Sequence, residues 1–206
     1  MAPPRKHQTD QILDAARAIV LRHGPRAASV AAIARDSGAP VGTLYHRFGS
    51  RDGVLAAVWL RALGRFQEGA LAAAAPHDDP LDRAEALAAA AIEFAGRHRD
   101  DARLLLAVRR EDLLDRAPDG AFRRRLNELN APLVGELQEI ARALYGRADA
   151  RAVAAVSRAV VDLPYSAVRT YSGRPEFPAW LAGDVAADAR RLLEARRDEA
   201  VNRGGG

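Results

Sequence analysis

Apolar residues recur at intervals of three and four along the whole chain, and alternation in twos persists nowhere. A helix repeats every 3.6 residues and a strand every two, so the pattern restricts the chain to an all-α fold. Ile12, Ala15, Ala16, Ile19 and Val20 share one face of a first helix, which is expected to end near His23-Gly24-Pro25. Ser29 suits the N-cap of a second helix, Val30 to Ser37, with Ile33 and Ala34 inward. Gly38 interrupts it. A third short helix is predicted from about Pro40 to Phe48, with Val41, Leu44 and Phe48 on its packing face, and a fourth from Arg51 to about Ala74. Beyond the turn at Pro76–Pro80, amphipathic segments at 81–98, 101–114, 119–145, 149–172 and 179–197 bring the expectation to about nine helices. Pro132 and Pro164 fall inside helical patterns and are expected to kink them.

The segmentation is therefore a short basic arm at 1–9, a three-helix unit within 10–53, a connecting helix at 54–75, a helical C-terminal domain at 76–198, and a disordered tail at 199–206. The arm carries Arg5 and Lys6, which suit either a minor-groove contact or a solubilising tail. Charge sharpens the division. Residues 1–53 hold eight basic and four acidic side chains, while the other 153 hold 23 of each, so the net charge of +4 lies entirely in the first quarter. A localised basic excess is the footprint of a phosphate-binding module. The longest run without a charged side chain is ten residues, Ser37 to His46, far below the roughly 20 apolar residues of a membrane span. No apolar stretch follows the first basic residues, which argues against a signal peptide and for the cytoplasm.

Residues 29–53 carry the chemistry. Two helices of about two turns flank a glycine-containing turn, as a helix-turn-helix requires, with the motif at 29–48. Gly42, Thr43, Tyr45, His46 and Arg47 project from the second of these helices once Leu44 and its neighbours face inward. Tyr45 and His46 can donate to phosphate oxygens, Thr43 can reach a base or phosphate, and Arg47 suits either a phosphate or an intramolecular pair. Free amides at the start of the helix that Ser29 caps offer an anion site. Arg51 can add a charged phosphate contact.

This stretch resembles the DNA-binding signature of tetracycline-repressor (TetR) family regulators. It matches at Ser29, Val30, Ile33, Ala34, Gly38, Gly42, Thr43, Leu44, Tyr45, Phe48 and Ser50, and departs at Ala39, Pro40, Arg51 and Asp52. Pro40 removes a hydroxyl that often caps the recognition helix or contacts phosphate. Gly53 in the first turn of the fourth helix costs roughly 1 kcal/mol relative to alanine. The resemblance implies DNA contacts from Ser29, Pro40, Val41, Gly42, Thr43, Tyr45, His46, Arg47 and Arg51. It also implies a homodimer paired through the helices near 149–172 and 179–197, and a C-terminal domain that takes a small effector and releases a near-palindromic operator. An effector-independent activator or nucleoid-type protein is the alternative.

The effector itself is not legible. Trp59, Phe66, Phe94, Phe122, Tyr165 and Trp180 are rings available to wall a pocket or to fill a core, and Arg109 stands at the head of a charged run with Arg110, Glu111 and Asp112. There is no cysteine, no metal-ligand spacing among the histidines, no phosphate-binding Gly-rich loop and no nucleophile elbow, so neither catalysis, metal nor cofactor is expected.

Overall fold

The computed structural model describes residues 5–109, 113 and 120–204, and side chains between 8 and 197 within them. The chain is all-α. Its helices are α1 (Arg5–His23), α2 (Val30–Ser37), α3 (Val41–Phe48), α4 (Arg51–Ala74), α5 (Pro80–Arg97), α6 (Arg99–Ala107), α7 (Ala121–Tyr145), α8 (Ala150–Ser157), α9 (Leu163–Tyr171) and α10 (Leu181–Gly204). A single π-turn, Arg158–Asp162, joins α8 to α9. Counting 150–171 as one rod gives nine helices among the described residues, and no strand. None of these helices is long and apolar enough to cross a membrane.

Local chemistry accounts for most boundaries. The Ser29 hydroxyl accepts from Ala32 N–H at 3.1 Å and caps α2. Gly38 then adopts φ 68°, a left-handed conformation that glycine enters without penalty, and ends that helix. The Asp79 carboxylate accepts from Leu81 and Asp82 N–H at 2.8 and 3.2 Å and caps α5. Asp149 does the same for α8 through Ala152 N–H, a bond that holds its carboxyl below the usual carboxylate range.

Three boundaries differ from expectation. Residues 5–9 are helical rather than a free arm, because no glycine or proline occurs between Arg5 and His23 to stop α1. The first part of the helix expected at 101–114 ends at Ala107, and Leu113 is helical again. Val108 N–H still bonds back to Leu104, but its carbonyl accepts the Trp59 indole N–H at 3.1 Å. Helix α10 runs on to Gly204, past the tail expected at 199. Residues 1–4, 110–112, 114–119, 205 and 206 lie outside the described residues, and with them the expectations for Arg110, Glu111 and Asp112. The prolines act unequally. α7 continues through Pro132, whereas Pro164 follows the π-turn, in which Leu163 N–H reaches back to Arg158 O. A proline has no N–H for that ladder, and the widened turn absorbs the defect.

Packing divides the chain into two compact units, residues 1–64 with 99–129, and 65–98 with 130–206. This division cuts across the chain-order segmentation, since α6 and the start of α7 pack with the N-terminal helices. In the first unit Ile12, Ile33, Leu44, Val54, Val58 and Leu104 are at most 1% exposed and form the centre of the core. Trp59 stands edge-on to Phe122 at 6.0 Å, and Arg17 pairs with the buried carboxylate of Asp101. In the second unit α5 packs along α10. Arg190 bridges Asp82, Glu85 and Glu194 at 2.8 to 3.1 Å, and Arg83 binds Glu136 in two-pronged fashion at 2.6 and 2.8 Å.

Candidate nucleic-acid interface

Helix α3 is short, and its two faces differ sharply. Leu44 is 1% exposed and Phe48 packs against the same core, which seats the helix on α1, α2 and α4 side chains. Ala39, 6% exposed, anchors the turn that precedes it. On the other side Tyr45 is 53% exposed, and Pro40, Gly42 and His46 are exposed as well. Thr43 is half-buried. Burial of one leucine and exposure of its neighbours follow from the 3.6-residue repeat alone.

The first turn of α3 has no side-chain cap. Pro40 offers none, and Thr43 N–H bonds to the Pro40 carbonyl at 2.9 Å. The N–H groups ahead of Thr43 point outward without an intrahelical acceptor, as at any helix start. A Cβ built on Gly42 would meet nothing within 4 Å. Nothing within the chain therefore requires glycine at this position, and the open space belongs to the outside of the molecule.

Several expected contacts are placed differently. Val41, read as a packing residue, is 44% exposed and joins the outer face, because as the first residue of α3 it precedes the turn that Leu44 seats. Arg47 turns back onto α1, donating to Thr9 Oγ1 at 2.6 Å and Gln8 Oε1 at 2.8 Å. Of its two readings this is the intramolecular one. Arg51, expected as a phosphate ligand, lies against its own chain. Its guanidinium donates to the Ala28 carbonyl at 3.0 Å, to the Pro25 carbonyl, and to Asp52 Oδ1 at 2.6 Å. The tight turn after α1 turns the Ala28 and Pro25 carbonyls toward Arg51, and the Pro25 oxygen, which also accepts Ala28 N–H at 3.3 Å, uses its second lone pair for the guanidinium. The Ser29 hydroxyl oxygen accepts the capping bond to Ala32, which leaves its own proton available to donate outward.

Three further residues matter here. Gln8 and Thr9 hold Arg47 and so tie α1 to the C-terminal end of α3, and no signal in the sequence marks them. Gly53, which the sequence marks only as a helix cost, is the third. A Cβ there would lie 1.9 Å from the Phe48 carbonyl oxygen, so the glycine lets the end of α3 run against the first turn of α4.

The ring candidates for an effector site do not converge. Trp59 and Phe122 are both buried in the first unit. Phe66 and Phe94 meet at 5.5 Å in the second unit, with His98 a further 5.1 Å from Phe94. Tyr165 and Trp180 are 50% and 54% exposed, the latter edge-on to Tyr171 at 6.0 Å. Arg109 is exposed at the end of the described segment. Sequence reasoning passed over Gln67. It is 5% exposed, donates to Asn130 Oδ1 at 2.7 Å, and leaves its own Oε1 buried without a hydrogen-bond partner among the described residues.

Residues 12–58 match the family described as bacterial regulatory proteins, tetR family. No curated protein matches the chain. Among solved structures the chain is similar to a putative transcriptional regulator from Pseudomonas aeruginosa PAO1, with TM-score 0.75 and 18% identity over 98% of this chain and 95% of that one. It is also similar to the fatty acid degradation regulator FadR of Bacillus halodurans, with TM-score 0.66 and 19% identity over 94% and 97%. A third is FadR from Bacillus subtilis in complex with stearoyl-CoA, with TM-score 0.61 and 18% identity over 90% and 95%.

Proposed function

From the premise that residues 12–58 place this chain in the tetR family of bacterial regulatory proteins, we propose that it is a cytoplasmic repressor that binds a near-palindromic operator as a homodimer. A small-molecule effector releases it. The observation that carries the reading is the outer face of α3. It offers Gly42, Thr43, Tyr45 and His46, with Pro40 and Val41 at its leading end, while Leu44 holds the helix down. A groove-binding helix needs small residues for close approach and donors for phosphate and base edges. Ser29 adds a hydroxyl at the start of α2. Arg47 acts by fixing α3 to α1, and its hydrogen-bond partners Gln8 and Thr9 are neutral.

A single small motif of this kind makes few contacts, so a two-fold pair reading two half-sites is needed for useful affinity. The second unit supports a pairing surface. Ala154, Arg158, Val161 and Tyr165 form an exposed stripe along 150–171, and Leu192 is 53% exposed on α10, which packs beside it. Leu192→Asp is expected to convert dimer to monomer in sedimentation equilibrium with an unchanged helical circular-dichroism signal. A variant that stays dimeric removes α10 from the interface.

An effector is supported by the paired rings of Phe66 and Phe94 and by the buried, unpartnered Oε1 of Gln67, which fits a ligand bearing an N–H or O–H donor. The test is selection of duplexes from a random pool, repeated with a metabolite library. Two inverted half-sites are expected, with binding lost on addition of one metabolite class. Selection of an operator whose occupancy no metabolite alters favours the effector-independent alternative, and failure to enrich any sequence overturns sequence-specific binding.

A further inference from the structure

Beneath the turn that joins α1 to α2 lies a cleft of about 420 Å³ to which the operator reading assigns no role. Its floor is apolar, with Leu55 of α4, Val108 and Leu113 each at most 5% exposed. Its rim is polar and carries His23, Arg26 and the Arg51–Asp52 pair. Small-molecule sites span roughly 300–1,000 Å³ and combine an apolar floor with a few polar groups in this way.

The charge at the rim selects the ligand. Arg51 is balanced by Asp52 at 2.6 Å. His23 and Arg26 are exposed and make no side-chain hydrogen bond or ion pair among the described residues. Among the described residues the uncompensated formal charge at the rim is therefore positive. The C-terminal end of α1 brings the opposite sign, but a helix end carries about half a charge. Gly24 N–H already covers the Val20 carbonyl at 2.9 Å. A whole arginine charge outweighs what remains.

We propose that this cleft binds a small amphipathic carboxylate, with its charged group on Arg26 and His23 and its hydrocarbon body on Leu55, Val108 and Leu113. The site is distinct from the effector position considered for the second unit, and binding there requires no DNA.

The test uses full-length protein without DNA, titrated with sodium octanoate while carbon–proton spectra follow the methyls of Leu55, Val108 and Leu113 and the imidazole of His23. Saturable shifts of these signals are expected. Octylammonium, of equal length and opposite charge, should leave them unmoved. Arg26→Glu should weaken octanoate binding by roughly fivefold. Ala107→Trp, which places a ring into the cleft from an exposed lining position, should abolish it. Thermal melts establish that both variants fold. Equal response to octylammonium, shifts confined to methyls of the second unit, or affinity unchanged in both variants overturns the assignment. None of these results bears on operator binding, so the two readings fail separately.

Discussion

Gly53→Ala is expected to destabilise the protein by about 3 kcal/mol, although helix propensity alone favours alanine by roughly 1 kcal/mol. The reason is a close approach. The added Cβ would sit 1.9 Å from the carbonyl oxygen of Phe48 and 3.0 Å from its carbon. Those are backbone atoms and cannot rotate aside. The same carbonyl accepts Ser50 N–H at 2.8 Å, and Ser50 Oγ in turn accepts Gly53 N–H at 3.0 Å, so the junction between α3 and α4 is held on both sides. Relief requires moving α3 or unwinding the first turn of α4. Gly69→Ala in the same helix is the control. Its Cβ would meet nothing within 4 Å, so propensity acts unopposed and a gain of about 0.5 to 1 kcal/mol is expected. For a chain of this size the first variant should melt about 6 to 12 °C lower and the second slightly higher. If the two variants shift in the same direction, the close approach at Phe48 does not govern Gly53.

The largest functional effect is expected from Tyr45→Ala combined with His46→Ala. Each side chain stands on the exposed face of α3, and neither contributes to the core around Leu44. If each supplies one contact of about 1 kcal/mol, a two-fold dimer loses four of them, roughly 4 kcal/mol or a thousandfold in operator affinity. Surface truncation of this kind changes stability by about 0.5 kcal/mol or less. The expected result is thus a well-folded protein that has lost its operator, measured by fluorescence anisotropy at fixed salt. A double variant that binds within threefold of the parent would remove α3 from the groove.

Tyr45 and His46 are outward for a reason already present in the spacing of Leu44 and Phe48, since a helix seated by those residues must present the intervening ones to solvent. The ends of α2 are similarly local. Ser29 caps and Gly38 terminates because of what their own side chains, or lack of one, permit. Gly53 is different. From the chain alone it is a mild liability in a helix, and only the approach of Phe48 makes it necessary.

Arg51 shows the same limit in its electrostatics. A basic residue at the start of a helix beside a DNA-binding motif reads as a phosphate ligand. Its direction was decided by carbonyls more than twenty residues earlier, at Pro25 and Ala28. A long side chain with five donors goes to acceptors within its reach, and sequence distance does not reveal where they are. Arg47 behaves likewise, drawn to Gln8 and Thr9. The interleaving of α6 and the start of α7 with the N-terminal helices is a further case, because amphipathic periodicity states that a face will be buried but not against which partner. What the amino-acid order determined by itself is therefore the set of helices, their caps and the outward face of α3, all governed by interactions within a few residues. The tertiary structure alone decided where the long cations reach, which glycine is indispensable and which helices share a core, because those depend on atoms brought together from distant parts of the chain.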